Sequence, residues 1–435
     1  MSLPNIHFGR VLKGDKAVWM IFFFLCCVSI IEVYSASSRM TFSSGNHWGP
    51  LVNQFTFLVA AFVIVLVLHY VPCSKLNWVA PFFLPFSMVV LLITTFSSGG
   101  SLNGTHRWTQ IFGVSLQPSE LVKGAMVFWT ALILARTQMV RRLDNGKIIT
   151  GAVKGKTPAR PFWYIVVPLG LCCLIIFKDN VSTAVMLFTV IFIMMIIGKI
   201  YWVYLVKLAG SLVVLGGLLL FSVMTLPDDV VAKIPGLDRT LTVKHRIQRF
   251  DEDKAEFGSE EWKKQQLDDK NSQSTYAKVA IANSGGTGLW FGNSVQRDFL
   301  QHAESDFIYA IIIEESGVVG ALVVMLLYLF LFMRTGKIAQ KCRKFFPAYL
   351  VIGLGLMMTL QALVNMAVAV GAIPVTGQTL PFISRGGTSI IVTSVYFAVI
   401  LSVSRYADAA QLADKPTDSV TEGETTEYAS EGNMS

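Results

Sequence analysis

The chain has 435 residues, of which 53% are hydrophobic and 12% aromatic but only 15% charged, against about 25% charged in an ordinary soluble domain. So large an apolar excess cannot be folded into one soluble core, which excludes a soluble enzyme, a disordered scaffold and a secreted disulfide framework. The net charge of +8 reads as the cytoplasmic Lys and Arg excess of a membrane protein, with no nucleic-acid partner implied.

After a short N-terminal segment, 1–17, the apolar runs long enough to cross a bilayer number ten. They are Val18–Tyr34, Leu51–Tyr70, Trp78–Phe96, Leu121–Arg136, Phe162–Phe177, Ser182–Gly198, Tyr201–Leu226, Phe307–Met333, Ala348–Val370 and Ser389–Val403. A lipid-exposed strand would leave backbone groups without partners, so the runs predict helices and an all-α polytopic membrane protein over 18–406. The first run is long and carries Glu32, which reads as a retained helix and not a cleaved signal.

The short connections set the orientation. Seventeen Lys and Arg fall on one side, among them Arg10, Lys75, the seven from Arg136 to Arg160 and the five from Arg334 to Lys344. The other side holds Arg39, Arg107, Lys178 and Arg385. An even number of spans and this bias predict both termini in the cytoplasm. The segment 227–304, between helices 7 and 8, becomes a large extracytoplasmic loop, and the acidic tail 407–435 a disordered cytoplasmic extension. No cysteine falls outside and none has C-x-x-C spacing, so neither a disulfide nor a zinc site is expected.

The polar residues that interrupt the apolar pattern lie mostly at the outer face, and each is a functional candidate because charge near hydrocarbon is costly. Asn103–Trp108 (NGTHRW) is followed by Gln117–Lys123 (QPSELVK), where Pro118 and Ser119 signal a helix start. Arg107 and Lys123 have the chemistry to clamp a phosphate; alternatively Lys123 pairs with Glu120 at i, i+3 and Arg107 anchors at the interface. Ser284–Ser294 (SGGTGLWFGNS) lacks the Gly-Lys-Ser/Thr ending of a P-loop and reads as a flexible turn at the membrane surface. Leu300–Ala310 places Glu304 and Asp306 at the mouth of the eighth span, either as a desolvated proton acceptor or as an ordinary N-cap through Ser305 or Asp306. Two turns below, Glu314 and Glu315 read as a buried hydrogen-bonded pair. In Pro381–Ser389 (PFISRGGTS), Gly386 and Gly387 suggest close backbone approach, with Arg385 at the mouth of the last span. His302 beside Glu304 does not define a metal geometry, so no protein-built metal site is expected. Mg²⁺ bound together with a pyrophosphate, on one or two carboxylates, is the more plausible ion, and no organic cofactor is implied.

Taken in order, NGTHRW, QPSELVK, HRIQRF, NSGGTGLWFGNS, SDFIYAIIIEESGVVG and TGQTLPFISRGGTS resemble the SEDS (FtsW/RodA/SpoVE) family of bacterial cell-wall polymerases over nearly the whole chain. The resemblance implies an inverting peptidoglycan glycosyltransferase of the bacterial cytoplasmic membrane that polymerises lipid II. The family's essential acid falls on Asp306, its basic residues on Arg107 and Lys123 beside Glu120, and its ISxGG turn on Ser384, Gly386 and Gly387. Where the family often reads Glu-Ala-His-Thr-Asp, this chain has His302-Ala303-Glu304-Ser305-Asp306, which leaves Glu304 as the shifted counterpart of the family's Glu. The family's pattern before the sixth span is altered to Lys178–Thr183 (KDNVST), and Asp179 is given no role. Thr379 is similar to division-type members, which implies a septal role; an elongation-type polymerase is the alternative within the family. The implied partners are a class B penicillin-binding protein transpeptidase, contacted through the outer loop, other division proteins and membrane lipids. The rival from another class is a flippase of lipid-linked precursors, which would more often show repeated halves and mid-bilayer charges. A non-catalytic division scaffold is the third reading, in which Asp306 is dispensable.

Overall fold

The computed structural model describes residues 12–37, 48–96, 109–111, 114–140, 159–225, 272–300 and 303–412. Arg107, His302, the HRIQRF motif, most of the outer loop and the tail from 413 lie outside them. Ten long helices are described: α1 (Lys16–Ala36), α2 (Gly49–Leu68), α3 (Cys73–Phe96), α4 (Pro118–Val140), α5 (Ala159–Asp179), α6 (Val181–Ile197), α7 (Trp202–Thr225), α9 (Ile308–Lys341), α10 (Phe345–Ala369) and α11 (Gly387–Leu412), with a twelve-residue α8 (Ser272–Asn283) between α7 and α9. Eight are long and apolar enough to cross a membrane, and Val181–Ile197 and Trp202–Leu218 are shorter apolar helices. The architecture is that of a helical multi-pass membrane protein.

Local chemistry fixes where the helices begin. Asp15 caps α1 by accepting from the Ala17 and Val18 amides at 2.9 and 3.3 Å, and Asn180 caps α6 by accepting from Ser182 N at 3.1 Å, each satisfying donors that a helix start leaves orphaned. Pro50 and Pro118 stand in first turns, where the missing N–H costs nothing. Of the apolar stretch of α4, 89% is buried, with 83% for α11 and 72% for α10, against 22% for α2 and α3. The core is therefore α4, α10 and α11, while α2, α3 and α5 present much of their apolar surface outward, where lipid replaces protein as the apolar solvent.

Two features depart from the sequence expectation. The fold is not wholly α, because β1 (Thr109–Ile111) and β2 (Val114–Leu116) pair antiparallel, Thr109 opposite Leu116, just ahead of α4. The eighth apolar run does not end at Met333: α9 continues to Lys341 and is interrupted at Gly317, whose φ of 68° and ψ of −168° are not helical. A straight helix of 34 residues would reach about 51 Å, well beyond a hydrocarbon layer of about 30 Å. The part after Gly317 is about 36 Å long by the same rise, of which about 24 Å, Val318–Met333, precedes the first charge at Arg334.

Candidate functional site

Three segments distant in sequence meet on one face of α10. The first is the start of α4, where Lys123 is 0% exposed and its Nζ donates to Glu120 Oε1 at 2.6 Å and to Gln361 Oε1 at 2.8 Å. The i, i+3 pair expected from the spacing forms, and Gln361 of α10 completes it. Tyr396 of α11 donates its hydroxyl to the Glu120 carbonyl at 3.1 Å, and Gln361 Nε2 donates to the Thr379 carbonyl at 3.1 Å.

One turn further along α10, Asn365 uses both hydrogens of Nδ2, donating to the Asp306 carbonyl at 2.9 Å and to the Gln378 carbonyl at 2.7 Å. Gln378 in turn donates through Nε2 to Thr183 Oγ1 of α6 at 2.6 Å. The segment after α10 therefore folds back into the protein. There the Ser384 hydroxyl donates to the Ser305 carbonyl at 2.6 Å and accepts from Leu380 N at 2.8 Å, while the Arg385 amide donates to the Glu304 carbonyl at 2.8 Å. The three consecutive carbonyls of Glu304, Ser305 and Asp306 are thus each held by a different residue, and the side chains of all three are half-buried. The N-cap position of α9 is Phe307, whose own side chain makes no capping bond.

The close approach expected of the glycines is found at Gly387, where a Cβ would strike the Phe57 ring, but not at Gly386, where it would meet Ser389 Cβ at an ordinary 3.4 Å. Sequence reasoning passed over Gln361 and Asn365. Their signal is a Gln and an Asn four apart inside an apolar helix, where an amide is kept only with partners.

Below this turn lies a second polar group. Glu314 and Glu315 are both buried, yet they bond to the glycine-rich segment and not to each other. Glu314 accepts from the Ser294 hydroxyl and from the Val295 and Gln296 amides at 3.2 and 3.3 Å. Glu315 accepts from the Ser35 hydroxyl of α1 and from Ser294 N at 3.3 Å, with Arg297 Nη1 4.0 Å away. The break at Gly317 frees helix carbonyls, and those of Glu314 and Glu315 accept from Leu289 N at 2.9 Å and Trp290 N at 2.8 Å; Val318 N donates to the Gly286 carbonyl at 3.1 Å. A Cβ on Gly317 would lie 2.5 Å from Gly286 O, and one on Gly288 2.5 Å from Gly317 N. The glycine-rich segment is therefore an insert spliced into a broken helix, which corrects its reading as a flexible turn.

Between α6 and α10 lies a cavity of about 450 Å³ lined by Val181, Val185, Met186, Leu360, Val364 and Ile373. Among the described residues no three His, Cys, Asp or Glu side chains converge as a metal-ligand set.

Residues 15–409 match the family model FtsW/RodA/SpoVE, described as cell cycle protein. The chain is 26% identical over 408 residues to the probable peptidoglycan glycosyltransferase FtsW of Enterococcus hirae, covering 90% of this chain and 93% of the relative. It is 28% identical over 409 residues to the protein of the same name from Bacillus subtilis strain 168, covering 91% and 92%. Among solved structures, a chain of a peptidoglycan synthase complex that coordinates polymerization and crosslinking superposes with a TM-score of 0.64 at 19% identity, over 91% of this chain and 99% of that one. The rod-shape-determining protein RodA of Thermus thermophilus gives a TM-score of 0.57 at 20% identity, over 91% and 98%. With a match that runs from the first helix cap to the last helix, the chain belongs to the FtsW/RodA/SpoVE (SEDS) family.

Proposed function

We propose that the chain is a peptidoglycan glycosyltransferase that extends glycan strands from lipid II, the undecaprenyl-pyrophosphate-linked disaccharide-pentapeptide, and that it serves the division septum. The observation that carries the chemistry is the turn of Asp306, with three carbonyls tied in succession and a half-buried carboxylate. A general base must first be held in place. Asp306 takes the proton of the acceptor GlcNAc 4-hydroxyl as its oxygen attacks C1 of the donor MurNAc; the bond from C1 to the pyrophosphate oxygen breaks, and the α linkage becomes β. A pyrophosphate leaves as a stable anion, so the second carboxylic acid of glycosidases is not required.

Arg107 and Lys123 are the assigned cations for that anion. The Lys123 ammonium is committed to Glu120 and Gln361, so it reaches a phosphate only by exchanging one of them, and first contact falls to Arg107. Glu304, Ser384, Gly386 and Gly387 border the same turn and are assigned to the substrate seat, Glu120 to holding Lys123. Mg²⁺ enters, if bound, with the pyrophosphate, and we place no step on it. The apolar cavity between α6 and α10 suits a lipid-linked substrate. We take all ten long helices, α6 and α7 included, to span the cytoplasmic membrane, with the basic connections inside and 227–304 outside. A class B penicillin-binding protein is the proposed partner, in keeping with the synthase complex that shares the fold.

The test is polymerisation of lipid II in proteoliposomes with the cognate partner, comparing the native chain with Asp306→Asn. A loss of glycan product on the order of 10²- to 10⁴-fold is expected for removal of a general base. Unchanged product overturns the mechanism, and lipid scrambling without polymer favours the transporter.

A further inference from the structure

The Leu289–Gly292 run sets two aromatic residues in the segment spliced into the α9 break. Trp290 has a φ of +71°, a conformation that a bulky L-residue rarely adopts. Its amide nevertheless donates to the Glu315 carbonyl, and the amide before it to that of Glu314. The backbone is thus pinned against a helix while the indole stands 78% exposed and the next ring, Phe291, 55% exposed.

The level at which they stand can be read from α9. Every residue from Ile308 to Glu315 is buried. Immediately past Gly317 the apolar surface turns outward, with Val318 50% and Val319 71% exposed and Leu322 and Leu326 following on the same stripe. A stripe of that kind on a membrane helix faces lipid. From Gly317 to Arg334, the first charge on the cytoplasmic side, the helix rises about 26 Å against a hydrocarbon layer of about 30 Å, which puts Gly317 within a few ångströms of the outer hydrocarbon edge. Trp290 hangs on the carbonyl two residues before Gly317, at the depth where indole rings concentrate in membrane proteins.

The geometry points to Trp290 and Phe291 as an interfacial anchor that lies in the glycerol and headgroup zone of the outer leaflet and holds the α9 break, and with it the Asp306 turn one short helix away, at a fixed height above the lipid. The occupant of this surface is phospholipid, because the two rings are continuous with the lipid-facing stripe that opens at Val318. The inference rests on the membrane embedding of α9, not on the chemistry proposed above.

A fluorescent aromatic amino acid placed at 290, and separately at 291 and 319, reads the depth in proteoliposomes of phosphatidylethanolamine and phosphatidylglycerol. At 290 and 291, quenching by a headgroup nitroxide lipid is expected to exceed quenching by a deep acyl-chain nitroxide or by aqueous iodide several-fold; at 319 the acyl-chain nitroxide dominates. Iodide quenching at 290 and 291 with lipid quenching at 319 overturns the anchor alone. Protection of 290 and 291 from all three quenchers overturns it in favour of a protein contact. Failure of the acyl-chain nitroxide at 319 overturns the span of α9 and the anchor together.

Discussion

A lysine ammonium with no exposed surface is stable only while its charge is answered, and Lys123 is answered by a carboxylate at 2.6 Å and an amide oxygen at 2.8 Å. Removing one partner of such a buried pair costs about 3–5 kcal/mol, whereas replacing both by apolar groups of similar size is often close to neutral. Glu120→Met is therefore expected to lower stability by about that amount in denaturant unfolding of the detergent-solubilised protein, and Glu120→Met with Lys123→Met to recover most of it. Equal losses in the single and double variants would mean that the pair is not what holds this end of α4. The i, i+3 spacing made the pair legible in the sequence. The third member was not, because Gln361 lies 238 positions away and only the packing of α10 on α4 brings it in.

At the scale of the element, the helices themselves were legible, since an apolar run in lipid has few backbone solutions other than a helix. The interruption of α9 was not. Ser316-Gly317 inside a long apolar pattern costs a helix little, and the run SGGTG shows freedom of φ without showing what uses it. The structure supplies the user: carbonyls freed at Glu314 and Glu315 are taken up by Leu289 and Trp290. Gly317→Ala places a Cβ 2.5 Å from Gly286 O at a φ of +68°, a left-handed strain worth about 1–3 kcal/mol before the clash is counted. The helix is then expected to straighten or the insert to leave. Hydrogen exchange should show the Leu289 and Trp290 amides losing protection while amides in α4 and α11 keep theirs; retained protection at Leu289 and Trp290 would show that the splice does not depend on this glycine.

At the scale of the whole molecule, the site is assembled by convergence, which is why its outer residues were readable and its centre was not. Asp306 and Lys123 stood out as polar residues near the mouths of apolar runs, and Ser384 through the resemblance of its ISxGG turn, but their relation runs through Asn365 and Gln361 on a helix in the core. The carbonyls of residues 304–306 are held from two elements, Asn365 on α10 and Ser384–Arg385 in the folded-back segment. If the turn is positioned as a unit, removing one tether loosens what the other can hold, and the losses do not add. Asn365→Ala and Ser384→Ala each delete two hydrogen bonds of a buried side chain, together worth about 1–3 kcal/mol of stability, and each is expected to lower lipid II polymerisation when compared at equal amounts of folded protein. The double variant is expected to depart from the sum of the two by about 0.5–3 kcal/mol of activation free energy. Strict additivity, measured as the product of the two rate ratios, would mean that each tether acts on Asp306 independently, and the turn would then be a meeting place of two supports and not a single positioned base.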